Sequence, residues 1–377
     1  MLYVVPDYYK EFHCTADQCE DTCCAGWQIV VDKKSLKKYK AVKGPYKKIL
    51  RSRVNWRQGT FKQDKEKRCA FLNEDNLCDM YINLGKESLC KTCRLYPRHI
   101  EEFEGVREIS LSVSCPEAAR ILLNKTEKVR FLSKENEKEE EYDDFDPFLY
   151  SVLLDARDVI LEILQNRELP VKVRAGLVYG IAHDIQKRVD RQELFSCSEV
   201  PEKYKSTAAR QFVSKRIREN EMDIKKIFEF SKEMFHNLYR LELLKEDWNY
   251  QLLEVEEHLY RKDSPIEYWK ISEEFGKWIT QKEFPWEIQK EQLLVYFVYT
   301  YFCGAVYDGE ILAKAQMAII MVDLLEEMLK VRWLRNEKYL DMEDVIELTY
   351  RFSRELEHSD LNLKKMESLM PEKHALF

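Results

Sequence analysis

From residue 148 onward, apolar side chains recur at intervals of three and four. Leu153, Leu154, Ala156, Val159, Ile160, Ile163 and Leu164 mark one buried helix face. That helix should end before Pro170, because proline removes a backbone donor and clashes with the preceding turn. The same spacing predicts helices over 171–191, 203–218, 222–245, 249–261, 265–280, 285–303, 308–335 and 342–357, with a short tail. No internal repeat of fixed period is present, and short loops between helices imply an α-helical bundle. The most apolar run, 293–306, is shorter than the roughly 20 residues a spanning helix needs, so it should be a buried core helix.

Residues 1–130 break this period. The stretch CAFLNEDNLCDMY over 69–81 alternates as a β-hairpin with 73–76 as its turn, placing Leu72 opposite Leu77 and Phe71 opposite Cys78. The stretch 133–146, SKENEKEEEYDDFD, is acidic and nearly devoid of apolar residues. It reads as an exposed linker, with Pro147 able to open the next helix. The expected division is a cysteine-cluster domain over 1–130, a linker over 131–146 and a helical domain over 147–377. The fold class is therefore mainly α: a small, irregular, cysteine-rich metal-binding domain with a β-hairpin, followed by an α-helical bundle domain.

Composition supports the helical bias. Glycine and proline number only 10 each in 377 residues, while 45% of residues are hydrophobic, enough for a sizeable core. The net charge of −7 is uneven. Residues 1–130 carry 25 Lys and Arg against 18 Asp and Glu, so the remainder carries −14. Much of the positive excess lies in 33–68, with 15 basic residues and two acidic. Such a run is most often a solvated face, and otherwise a docking surface for an acidic protein. An acidic chain without a reader motif argues against nucleic acid. The N-terminal segment has no cationic stretch followed by an apolar run, so a cytoplasmic protein without a membrane span is expected.

Nine of the eleven cysteines fall within residues 14–115: Cys14, Cys19, Cys23, Cys24, Cys69, Cys78, Cys90, Cys93 and Cys115. An odd total and an adjacent pair fit a disulfide framework poorly. Crowded thiolates repel unless a cation neutralises them, so these nine are candidate metal ligands. A helix over 17–24 would set Cys19 and Cys23 on one face. Cys90 and Cys93 form a CxxC knuckle. One CxxC within a dense cluster favours an iron–sulfur centre, with zinc as the alternative. His13 and His99 rank below the cysteines as ligands.

Several chemistries lack their signatures. No GxG occurs, which excludes the usual nucleotide-binding glycine loops, and there is no P-loop, GxSxG or HExxH. Cys19 and Cys23 give the first spacing of CxxxCxxC, but the third cysteine is missing.

The blocks CEDTCCAGWQI (19–29), CAFLNEDNLCDMY (69–81), CRLYPR (93–98) and SLSVSCPEAAR (110–120) resemble the cysteine-cluster domain of flagellin lysine N-methylases. EQLLVYFVYTYFCGAVYDGE (291–310) and YRFSRELEHSDLN (350–362) are similar to the C-terminal blocks of that family. The N-terminal blocks are also shared by a broader group of zinc- or iron-chelating proteins. The resemblance implies methyl transfer to ε-amino groups of flagellin lysines, S-adenosylmethionine as donor and a [4Fe–4S] cluster. It does not imply which cysteines hold the cluster.

A lysine amine is protonated at neutral pH and must lose that proton before it can accept a methyl group. Glu357, His358 and Asp360 are therefore candidates for a base or lysine-orienting role. Tyr307, Asp308 and Glu310 form a second polar group beside the apolar run. Both groups could equally cap helices. An iron with an open coordination position could bind the amino-acid end of the donor. The rival readings are a cluster that only staples the fold, and a non-catalytic zinc- or iron-binding adaptor for an acidic protein partner.

Overall fold

The computed structural model describes residues 1–137, 145–371 and 374–377. After strand β1 (Leu2–Pro6) come helices α1 (Lys33–Ala41) and α2 (Tyr46–Arg53) and the short strands β2 (Val54–Asn55) and β3 (Thr60–Phe61). Helices α3 (Asp79–Leu84) and α4 (Lys91–Leu95) lead to strands β4 (Arg98–Phe103) and β5 (Val106–Leu111), helix α5 (Pro116–Leu123) and strand β6 (Phe131–Glu135). The helical part begins with α6 (Pro147–Leu164), α7 (Val171–Asp190), α8 (Val200–Tyr204), α9 (Thr207–Glu221) and α10 (Ile224–His236). It continues through α11 (Glu246–Val255), α12 (Pro265–Gln281), α13 (Trp286–Tyr301), α14 (Ile311–Arg335), α15 (Met342–Glu357) and α16 (Asp360–Ser368).

The mainly helical expectation holds, and several helix ends are set by local chemistry. Asp146 caps α6 by accepting from the Phe148 and Leu149 amides, with Pro147 in the first turn. Asp341 and Asp344 form a reciprocal capping box at the start of α15. The helix expected over 222–245 is shorter: α10 tightens into a 3₁₀ turn at Asn237–Arg240. No helix among the described residues is long and apolar enough to cross a membrane, and α13, which contains most of the 293–306 run, is buried almost all round.

Strands β4, β5, β1 and β6 form one mixed sheet in that order. β1 runs parallel to β5 and antiparallel to β6, with Leu2 opposite Val106 and Glu135. The β4–β5 turn places Gly105 at φ +73°, a conformation glycine adopts without steric cost. Part of the stretch expected to be linker therefore lies in the sheet, as β6. Residues 138–144 of that stretch lie outside the described residues.

Two cores result. The large one joins the helical part to Tyr8, Phe103, Leu111, Val113 and Leu122, so the sheet and α5 pack with the helices. The small one gathers Ile29, Tyr39, Leu50, Val54, Phe61, Phe71 and Met80 with Cys69 and Cys90. Buried polar groups tie the sheet and α5 to the helices. Arg157 holds Glu108 through two contacts of 2.5 Å. Gln289 donates to the Leu123 carbonyl at 3.1 Å, and Gln292 to those of Lys125 and Glu127 at 2.8 Å. Such pairing is what makes burial of these groups tolerable.

Two local expectations are corrected. Residues 17–24 are not helical beyond a 3₁₀ turn at Ala16–Gln18. The Thr22 hydroxyl accepts the Cys24 amide at 3.2 Å, offering the backbone a turn in place of a helix. The 69–81 hairpin reduces to one bridge, Leu72 opposite Cys78, shifted by one residue. The Asn73 side chain accepts the amides of Asp75 and Leu77, and Asn76 is left-handed, so the turn takes an extra residue.

Candidate functional site

The nine N-terminal cysteines are all free thiols, and Cys69, Cys90 and Cys115 are buried. Hydrogen bonds tie the segments that carry Cys24, Cys69 and the Cys90–Cys93 knuckle to one another. The Cys69 amide donates to the Cys24 carbonyl at 2.7 Å, and the Gly26 amide to that of Lys67 at 3.1 Å. The Thr92 hydroxyl donates to the Val30 carbonyl at 2.8 Å, which seats the Cys90–Cys93 knuckle against the segment after Cys24. Cys115 immediately precedes α5 and lies close enough to Cys23 for its charge to raise that thiol's pKa.

Electrostatics connect these sulfurs. A charge on Cys24 raises the pKa of Cys69, Cys78 and Cys93. Cys115 does the same to Cys23, Cys19 to Cys115, and Cys14 to Cys19. Burial is the main cause that pushes Cys69 up to about 12 and Cys115 to about 11. Two thiols move the other way. The hydrogen bond from Cys23 lowers Cys24 to about 7, helped by Thr22 and by the cations Arg68 and Arg354. The bond from Cys93 likewise lowers Cys90. Each adjacent pair thus offers one sulfur inclined to be a thiolate.

Among the described residues no group of three His, Cys, Asp or Glu side chains has the spacing to hold a metal ion outright. What the fold assembles is the donor chemistry: mutually repelling sulfurs in a poorly solvated place, where a cation would relieve the repulsion. The donor type, though not the spacing, is that of a thiolate-bound metal centre. His13 lies apart from the sulfurs' chemistry, exposed and bonded to the Glu11 carbonyl at 2.9 Å.

A carboxylate and an imidazole lie beside this region, at the end of α15. Glu357 Oε2 accepts from the Tyr296 hydroxyl at 2.9 Å and from the Ser112 hydroxyl. Its Oε1 is shielded from solvent and has no hydrogen-bond partner. Burial raises Glu357 to about 7, against the lowering effects of Ser112, Tyr296 and the charge on His99. His99 pairs with Glu101 at 2.6 Å and faces the Tyr301 ring at 5.5 Å. Burial opposes its charge, but Glu101, Glu357 and Asp360 leave its pKa raised. His99 therefore belongs to the carboxylate cluster.

His358 lies against the Trp27 ring at 4.5 Å and the Tyr96 ring at 5.4 Å, and meets the Ser114 hydroxyl at 3.0 Å. Burial, with the cations Arg354 and Lys245, lowers its pKa to about 3, so it is neutral and weakly basic. Trp27 in turn donates to the Cys23 carbonyl at 2.7 Å, making one continuous contact from the sulfurs to α15. The buried Arg354 guanidinium completes the junction. It donates to the Ser114 carbonyl at 2.9 Å and pairs with Asp21 at 2.7 Å.

The remaining candidates play other parts. Asp360 is exposed at the start of α16. Asp308 accepts the Glu310 amide at 3.0 Å and pairs with the buried Lys314 at 2.8 Å, building the entry to α14. The Tyr307 hydroxyl donates to the Glu102 carbonyl on β4. Residue-by-residue reasoning missed Ser112, Ser114, Tyr96, Trp27, Tyr296 and Arg354. Their signal is that each lies inside one of the six sequence blocks quoted above, and the fold makes those blocks meet.

Over residues 157–376 the chain matches the model of the FliB lysine N-methylase C-terminal domain. That match sets it among the methyltransferases of lysine. The chain belongs to the FliB lysine N-methylase family. It is 34% identical over 127 residues to the flagellar biosynthetic protein FliU of Salmonella muenchen, covering 32% of this chain and 75% of that one. The lysine-N-methylases of Salmonella typhimurium and Salmonella choleraesuis are also 34% identical over 127 residues, covering 32% of this chain and 32% of each relative. The match thus spans about a third of their length. No solved structure matches the chain significantly.

Proposed function

We propose that this protein methylates ε-amino groups of flagellin lysines, with S-adenosylmethionine as donor and a [4Fe–4S] cluster held by its N-terminal cysteines. The observation that carries this reading is the contact path from the cysteine segment to Glu357. The N-terminal and C-terminal family blocks, far apart in sequence, build one site.

Glu357 suits the proton-transfer step. With its pKa raised to about 7, Glu357 can take up and release a proton near neutrality, and its Oε1 has no other hydrogen-bond partner. A substrate ammonium in water would hold its proton some three pKa units more tightly. Desolvation among Tyr96, Trp27 and Tyr296 would disfavour the charged ammonium and narrow that gap. The neutral amine then forms its nitrogen–carbon bond as the donor's sulfur–methyl bond breaks, and the proton rests on Glu357. Neutral His358 adds no further positive charge to that of Arg354 and Lys245 near the incoming amine.

The metal ligands would be drawn from Cys23, Cys24, Cys69, Cys78, Cys90, Cys93 and Cys115, with Cys14 and Cys19 at the rim. An iron with an open coordination position would supply an anchor for the amino-acid end of the donor, in place of the missing glycine loop. The test is anaerobic purification with a visible absorption spectrum and metal analysis, then incubation with flagellin and labelled donor. Flagellin masses rising in steps of one methyl group are expected. Unshifted flagellin, with folded, iron-loaded protein, would sink the reading.

A further inference from the structure

Between residues 33 and 57 the chain carries eleven Lys and Arg and no acidic residue. Nine of the eleven are exposed. Only Arg53 forms an ion pair among the described residues, with Asp79 at 2.6 Å. Elsewhere basic side chains on this protein are commonly paired, even at the surface, as Lys232 is with Asp263 and Lys338 with Glu274. Helices α1 and α2 turn Tyr39 and Leu50 into the small core. They leave Lys34, Lys37, Lys40, Lys48 and Arg51 on the outside. Helix α1 is tied to the segment before the Cys90–Cys93 knuckle, since the buried Tyr39 hydroxyl donates to the Ser88 carbonyl at 2.7 Å, two residues before Cys90.

We propose that the outer face of α1 and α2 docks an acidic segment of the protein substrate. The inference rests on the methylase reading and adds how substrate is held. An unpaired cationic face is complementary to a segment carrying several carboxylates, and such complementarity raises encounter rates and fixes orientation. The face is small: nine helical residues span only about 13 Å. Outside residues 33–57 the chain carries −18. An extended polyanion or an anionic bilayer would meet that surrounding charge, whereas a short acidic segment would not. Docking there also brings the segment's flanking lysines toward the cysteine region.

The test uses the full-length, metal-loaded protein and a variant with Lys34→Gln, Lys37→Gln, Lys40→Gln, Lys48→Gln and Arg51→Gln. These side chains are exposed, so the variant should fold, as circular dichroism would verify. KM for flagellin should rise about tenfold at 0.15 M salt with kcat unchanged, and the two proteins should converge at high salt, where surface charges are screened. A short fluorescent polyglutamate peptide, no longer than the face itself, should bind the parent and not the variant. An unchanged KM, or binding of duplex DNA or phosphatidylserine vesicles in preference to polyglutamate, would overturn the proposal. If the parent methylates nothing, the methylase reading fails by itself. Polyglutamate binding that depends on the five side chains would still support acidic docking, and its absence would defeat it.

Discussion

One oxygen of Glu357 takes two hydroxyl hydrogen bonds while the other takes none, so the carboxylate is held in place yet keeps a vacancy for a proton. If it is the base, activity should fall as pH drops through about 7, the value to which burial raises it. Glu357→Gln keeps the shape and removes the base. Its kcat should fall by roughly 10²–10⁴, and the limb near pH 7 should vanish from what activity remains. A variant that keeps that limb would assign the base elsewhere. His358 bears on stability instead. Its pKa is lowered from 6.5 to about 3, so between those values the unfolded chain binds more protons than the folded one. Its contribution is therefore complete above pH 6.5 and drains away as pH falls toward 3. Urea unfolding of the parent should lose roughly 1–2 kcal/mol more than His358→Gln between pH 7.5 and 4.5, less than the full shift implies because the ring is partly exposed. Equal losses would remove His358 as the cause.

At the scale of elements, α15 is the part that connects the cysteine segment to the helices, and Arg354 is its main tie. Replacing Arg354 with Met removes the donor to Ser114 and one partner of Asp21, although Lys245 still holds Asp21 at 2.6 Å. The cost should be about 3 kcal/mol, toward the low end for breaking a buried pair. Amide exchange should quicken over 19–27 while α13 stays protected. The sequence makes α15 itself easy to see, because Asp341 and Asp344 announce its start and its apolar period is regular. It does not show what the end of α15 touches. Glu357 and Ser112 are 245 residues apart, and no period or spacing encodes that contact. The sheet was hidden for a related reason. β6 reads FLSKE, polar over most of its length, and becomes a strand only because β1 supplies its partners. Local chemistry also misled at 17–24, where the short polar side chain of Thr22 outcompetes helix formation.

For the whole molecule, the two cores should differ in what sustains them. The large one rests on long helices buried against each other, with α13 and α14 at its centre. The small one has ten buried apolar residues, two of them cysteines, and its elements are short. Units of that size seldom hold together on apolar burial alone and commonly rely on a metal or a cross-link. Unloaded sulfurs would also oppose it, because charge on Cys24, Cys78 and Cys90 makes Cys69 harder to ionise, and charge on Cys24 does the same to Cys78. If these cysteines hold the proposed metal, stripping it under reducing conditions should loosen the small core selectively. Amides of α1 to α3, β2 and β3 should exchange faster by orders of magnitude, while those of α13 and α14 keep their protection and the far-ultraviolet helix signal persists. Methyl transfer should vanish with the first change, because Trp27, seated between Cys23 and His358, would lose its anchor. Metal removal that leaves exchange in the small core unaltered would show that its fold owes nothing to the sulfurs. Loss of protection in both cores together would show that the cysteine region and the helices unfold as one unit.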